Sequence, residues 1–351
     1  MSLSVRRRFP GSCSGSFSAE SQTGYIFKLA VSGDEKSGLV ATQDRCLRHI
    51  DLESLALKFE FQAAHESTIT DIQPVSQGIW VSASNDGLCK VWDVRQPDPV
   101  VSIKVSNDNR DAPVFAASVS SSGTCAVACG PEIHLFKFGE WKKMFTYTDS
   151  HFDTVSCLTF SHLPGQADIL VSGGDDGLVN IYNTTDLVNE DNGQCPMITF
   201  NTEDSVRSVL LTRKNLFAFS TTESVSIWDP QTGGRACPKM DEFRVHPLLS
   251  SEETGWAYIV GVDAIGSKLI AGNSEGSLVE FNMNDSSVSR MFDKTHSGVV
   301  RSCAYLTNGC ILTAGEDGYL YEWSSSPSFP EGPLADGRSR STRPGPSSRP
   351  Y

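Results

Sequence analysis

Short runs of β-branched, aromatic and other apolar residues recur along residues 25–323, broken by clusters of Gly, Asn, Asp and Ser. Runs of this kind between such breaks predict strands joined by tight turns. The stretch 68–105 shows the pattern plainly. Thr68–Val75, Ile79–Ser84, Leu88–Val94 and Val100–Val105 predict four strands, and Asn85, Asp86 and Gly87 predict a hairpin turn, because these residues accept positive φ cheaply. No segment carries apolar residues at the spacing of a long amphipathic helix. The chain reads as all-β.

Three segments superimpose without gaps: Val81–Asp93, Val171–Asn183 and Leu312–Ser324. Each has a small hydroxyl residue (Ser82, Ser172, Thr313), then an aspartate before glycine (Asp86, Asp176, Asp317), then an aromatic (Trp92, Tyr182, Trp323) at constant spacing. A histidine precedes each aspartate at a similar interval: His65, His151 and His296. Weaker copies end the strands at Cys46–Asp51, Glu132–Phe138, Val225–Asp229 and Ser277–Asn282. With Ile50, Trp92, Phe136, Tyr182, Trp228, Phe281 and Trp323 as equivalents, successive separations are 42, 44, 46, 46, 53 and 42 residues. Seven units of about 40–45 residues with four strands each have the period of propeller blades.

These motifs resemble the WD-repeat family over about residues 25 to 323, which implies a single-domain, seven-bladed β-propeller. The resemblance also implies that His65, Ser82, Asp86 and Trp92 form a hydrogen-bonded structural set in blade two. His151, Ser172, Asp176 and Tyr182 would do so in blade four, where tyrosine departs from the usual tryptophan, and His296, Thr313, Asp317 and Trp323 in blade seven. On paper the same His/Asp/Ser combinations suggest nucleophilic catalysis. Their recurrence once per blade favours a structural role, and no G-x-S-x-G, H-E-x-x-H, Walker or G-x-G-x-x-G motif is present. No catalytic residue, cofactor or metal site is expected.

Blade seven offers three strands before Trp323, after which serines and prolines make a fourth unfavourable. A closing strand from the N-terminus is therefore expected, from Leu3–Phe9 or Ser14–Glu20, within an otherwise flexible extension 1–24. Residues 324–351, rich in Arg, Ser and Pro, are expected to be a disordered tail. In the long stretch after Asp229, Phe243, Val245, Leu248 and Leu249 are expected to supply the fourth strand of blade five.

Net charge is −13, and both ends are basic, leaving −17 over residues 24–323. An acidic body excludes a broad nucleic-acid-binding face and leaves at most weak contact through the arginine tail. It favours basic protein or peptide partners. The ten cysteines stand singly, and Cys157 and Cys303 lie in apolar runs, which fits a reducing compartment, nucleus or cytoplasm. No apolar run is long enough to span a membrane.

Order and spacing of the units, with the long blade-five stretch, make the chain most similar to the WD repeat-containing protein 89 family. The matching stretches are His151–Asn183 and Tyr258–Trp323. That similarity implies a scaffold, working as a monomer within a larger complex, with a role near ribosome assembly as suggested for plant relatives. Contact residues are expected on turns: Asp44-Arg45, Asn107–Arg110, Glu203-Asp204 and Glu252-Glu253. Trp92, Asp93 and Arg95 also make a W-D-x-R sequence, resembling the box of cullin-RING ubiquitin ligase substrate receptors.

Overall fold

The computed structural model describes residues 2–10, 24–105, 112–161, 168–185, 196–237, 240–252 and 255–324, the first of these by backbone alone. After β1 (Ser2–Pro10), blade one is β2–β5 (Ile26–Val31, Ser37–Thr42, Leu47–Asp51, Ala56–Phe61), and blade two is β6–β9 (Ile69–Ser76, Ile79–Ser84, Leu88–Asp93, Val101–Lys104). Blade three is β10–β13 (Val114–Val119, Thr124–Cys129, Glu132–Lys137, Lys142–Tyr147), and blade four is β14–β17 (Val155–Phe160, Ile169–Gly174, Leu178–Asn183, Ile198–Asn201). Blade five keeps three strands, β18–β20 (Val206–Leu211, Leu216–Ser220, Val225–Trp228). Blade six is β21–β24 (Tyr258–Val262, Lys268–Gly272, Leu278–Asn282, Val288–Phe292), and blade seven starts with β25–β27 (Val300–Tyr305, Ile311–Gly315, Tyr319–Ser324). The chain is a seven-bladed antiparallel β-propeller.

The missing strand of blade seven is β1, which runs antiparallel to β27 with Val5 opposite Trp323 and Phe9 opposite Leu320. Its first residues also pair in parallel with β24 of blade six, Ser2 opposite Met291. Of the two closing segments the sequence offers, the one around Leu3–Phe9 makes this pairing; Ser14–Glu20 lies outside the described residues, as does the tail from 325. Pairing β27 removes a sheet edge that would otherwise template association.

Each blade-to-blade interface holds its own apolar cluster. Leu39, Ala41, Trp80 and Trp92 join blades one and two, and Leu312, Ala314, Leu320, Val40 and Ile50 join blades seven and one. The second strand of every blade is the wedge, because its alternate side chains feed opposite interfaces: Leu39 and Ala41 pack toward blade two, Val40 toward blade seven. Buried on both faces, such strands read as continuous apolar runs rather than alternating ones, as Thr124–Cys129 does.

The innermost strands share one irregularity. In all seven, the register shifts near the start of the strand, at the second residue in six of them, as between Ile26 and Lys28, Ile69 and Asp71, Val155 and Cys157, Val206 and Ser208, Val300 and Ser302, and Val114 and Ala116; in blade six it falls at the third, between Ile259 and Gly261. A bulge at this point adds a residue and increases local twist. The extra residues Thr70, Phe115, Ser156, Arg207, Val260 and Arg301 line the central channel, a cavity of about 580 Å³.

The expected fourth strand of blade five does not form. Glu242–Val245 is a single 3₁₀ turn, and β20 is bridged instead by Arg235 opposite Trp228 and Met240 opposite Val225. The reason is packing. Phe243 and Leu249 are buried in the interface with blade six, Phe243 at 5.2 Å from Phe281, while Val245 and Leu248 are left exposed. A strand would have placed Phe243 and Val245 on the same face.

Candidate functional site

The histidine in each of blades two, four and seven precedes the innermost strand, and its aspartate sits in the turn between the second and third strands, so one end of the blade brings them together. Gly87, Gly177 and Gly318 follow the aspartates at φ 81°, 77° and 75°, a left-handed conformation that glycine adopts without a Cβ penalty. The hydroxyl residue and the aromatic are diagonal neighbours across the second and third strands: Ser82 is opposite Lys90 while Trp92 is opposite Trp80.

In blade two the Trp92 indole N–H donates to Ser82 Oγ at 2.8 Å, Ser82 Oγ lies 2.6 Å from His65 Nε2, and His65 Nδ1 lies 2.8 Å from Asp86 Oδ2. Blade seven repeats the geometry: Trp323 to Thr313 at 2.7 Å, Thr313 to His296 at 2.8 Å, and His296 to Asp317 at 2.8 Å. Blade four has His151 at 2.7 Å from Ser172 and 3.0 Å from Asp176, and Tyr182 at 3.5 Å from Ser172. Its His151 Nε2 takes a further contact from Asn180 at 3.1 Å. Ser82, Ser172 and Thr313 are fully buried.

In blade two a neutral His65 accepts from the Ser82 hydroxyl at Nε2 and donates from Nδ1 to the Asp86 carboxylate, while the hydroxyl accepts the Trp92 indole N–H. Burial pushes the His65 pKa down in spite of Asp86, which keeps that ring neutral. For Asp86 burial acts upward, but the His65 hydrogen bond and the Glu66 and Leu88 amides outweigh it and hold the carboxyl at about 2. Every polar group of such a network is satisfied, which rigidifies a single packing.

Other sequence candidates are placed differently. Trp92 is buried, whereas Arg95 is 79% exposed and grips Asp93 at 2.5 and 2.8 Å. Asp44 is held by Arg48 at 2.5 Å, and Arg45 donates to the Glu66 carbonyl, so that turn is tied down within the protein. Glu203 and Glu252 are exposed, while Asn107–Arg110 and Glu253 lie outside the described residues. Burial pushes the thiols of Cys157 and Cys303 up to about 12, far from the thiolate that reactivity requires.

Sequence reasoning passed over two groupings. Asp44, Cys46 and Glu60 place ligand-type atoms within 4.8 Å of one another, but the Arg48 guanidinium already sits among them, 2.5 Å from Asp44 and 2.8 Å from Glu60. The second grouping is aromatic. Phe152 is 88% and Trp256 68% exposed, the two exposed aromatic side chains among the described residues. Phe152 was legible as an anomaly, since the residue after the repeat histidine is Glu66 in blade two and Ser297 in blade seven.

A family model described as WD domain, G-beta repeat matches residues 57–93, 141–183 and 287–324. Each match starts with the outer strand of one blade and ends with the third strand of the next, so the sequence repeat is offset by one strand from the blade. The chain is similar to the WD repeat-containing protein GTS1 of Arabidopsis thaliana, 25% identical over 74% of this chain and 71% of that protein. It is also similar to an uncharacterized WD repeat-containing protein of Saccharomyces cerevisiae, 30% identical over 36% of this chain and 34% of the relative. A WD repeat-containing protein 55 homolog of Drosophila persimilis is 29% identical over 20% of this chain and 14% of the relative. No helix among the described residues is long and apolar enough to cross a membrane.

Proposed function

We propose that this chain, a seven-bladed β-propeller built on WD repeats, is a non-catalytic scaffold that binds other proteins. One observation carries the reading: the residues that resemble a nucleophile and its base are buried and spent on one another, whereas the exposed charged and aromatic groups stand on turns. A nucleophile must be reached by its substrate; Ser82, Ser172 and Thr313 have no exposed surface. WD-repeat proteins generally act as interaction platforms, and the acidic body suits basic partners. Resemblance to the WD repeat-containing protein 89 family supports work in a nuclear or ribosome-assembly complex, with the nucleus and cytoplasm as compartments.

Mass spectrometry of proteins that co-purify with the tagged full chain tests this. Recovery of a stable set containing ribosome-assembly factors is the expected result. Absence of any reproducible partner would overturn the scaffold reading. A second reading, a substrate receptor of a cullin-RING ligase, is favoured by the exposed Arg95 guanidinium beside buried Trp92. It predicts a ligase adaptor in the purified set that is lost on Arg95→Ala, and an adaptor bound equally by that variant sinks it.

A further inference from the structure

Blades four to six carry a rim that the scaffold reading does not by itself single out. Phe152 and Trp256 stand on the connections that enter blades four and six, on the histidine side of the ring, with the short turns of blade five between them. The Phe152 N–H is tied to Asp176 Oδ2 at 2.9 Å, which holds this residue in the turn of the repeat aspartate. From there the rim is continuous through side chains: Ser205 donates to Asp175 at 2.6 Å, Thr222 donates to Asp204 at 3.1 Å, and the Ile259 N–H donates to Glu223 at 2.6 Å. Trp256 lies three residues before Ile259 and is stacked by the Arg244 guanidinium at 4.1 Å from its ring centre.

Isolated exposed apolar residues need no explanation, but Phe152 and Trp256 stand on one rim, and Trp is enriched among the residues that dominate binding energy. The charge around these rings selects the partner. Asp153, Asp175 and Glu203 are exposed along the rim and Asp204 is half-buried; the nearby cations Arg207 and Arg244 are engaged, with Glu223 at 3.4 Å and with Trp256. Trp256 already accepts a guanidinium on its face, the chemistry by which an incoming Arg or Lys would stack. Carboxylates repel nucleic-acid phosphates.

We infer that the rim from Phe152 to Trp256 docks a lysine- and arginine-rich segment of a partner protein that also carries an apolar side chain. This rests on the scaffold reading and gives it a surface and a ligand chemistry. Phe152 takes the apolar side chain, Trp256 stacks a cationic one, and the carboxylates between them supply attraction that salt screens.

The test is fluorescence anisotropy of the full chain with a labelled peptide of Lys, Arg and Leu, against a control peptide with Glu at every cationic position. The basic peptide is expected to bind, less tightly at high salt, and the acidic one not to. Phe152→Ser and Trp256→Ser should each weaken binding by about tenfold, which corresponds to about 1.4 kcal/mol, and Glu203→Lys should weaken it and flatten the salt dependence. Ile265→Ser, at an equally exposed apolar residue on the opposite face, should change nothing. Because Phe152 and Ile265 are solvent-exposed, both variants are expected to fold, which circular dichroism checks. Equal binding of both peptides, or equal effects of the rim variants and Ile265→Ser, overturns the inference. Co-purified partners retained by the Phe152→Ser, Trp256→Ser double variant also overturn it while leaving the scaffold reading intact.

Discussion

The Tyr182 hydroxyl stands 3.5 Å from Ser172 Oγ, where the indoles of Trp92 and Trp323 reach the equivalent oxygens at 2.8 and 2.7 Å. The tyrosine fills the interface, at 4.3 Å from the Tyr147 ring, and its bond to Ser172 is at the far limit of a hydrogen bond, though Ser150 and Asn180 also engage the hydroxyl. Tyr182→Phe keeps the ring and loses only these bonds, and is expected to cost about 1 kcal/mol. Trp323→Phe removes a short bond and leaves a cavity against Phe292, and is expected to cost about 2–4 kcal/mol. Urea denaturation midpoints of the two variants check the order, and a Tyr182→Phe loss as large as that of Trp323→Phe contradicts it.

A second expectation concerns acid. His134 is buried on β12, and burial, with Lys143 nearby, pushes its pKa from 6.5 down to about 4. Between those values the unfolded chain binds a proton that the folded chain refuses, so stability falls as pH drops from 6.5 toward 4 and this loss ends below 4. Burial gives His65 the same direction. Asp86, held at about 2, adds a separate loss between pH 3.8 and 2. Melting temperatures of His134→Gln should depend less on pH between 6.5 and 4 than those of the parent; an unchanged slope refutes the assignment.

Ring closure by β1 predicts a further effect. Proline removes a ladder donor, so Val5→Pro with Arg8→Pro should free the edge of β27 and lower the melting temperature by on the order of 10 °C. Limited proteolysis should then cut first in blade seven. Melting and cleavage like those of the parent would mean that β1 contributes nothing to closure.

Gly276 gives the sharpest backbone prediction. Its φ is 84°, and a Cβ there would lie 2.5 Å from the His296 carbonyl oxygen. That neighbour is backbone and the strained φ is added to the clash, so Gly276→Ala should cost more than about 2 kcal/mol. Gly233→Ala, with a positive φ but open space around it, should cost less. Equal melting temperatures for the two would show that the blade six to seven contact gives way.

What the sequence determined was everything local and repeated. The strands of blade two, the turn at Asn85, Asp86 and Gly87, and the period that counts seven blades are set by residue type and short-range spacing. The histidine, hydroxyl, aspartate and aromatic of each strong repeat are legible for the same reason: each blade must satisfy the same buried polar groups in the same way. Tertiary structure decided what depends on contacts between distant parts of the chain. Leu3–Phe9 pairs with β27 because blade seven has an open edge, a partner that its own residues do not specify. Phe243 turns inward as part of a 3₁₀ turn because Phe281 of the next blade offers more burial than a fourth strand would. Phe152 and Trp256, 104 positions apart in the sequence, face solvent on the same side only because ring closure brings the entrances of blades four and six to one face.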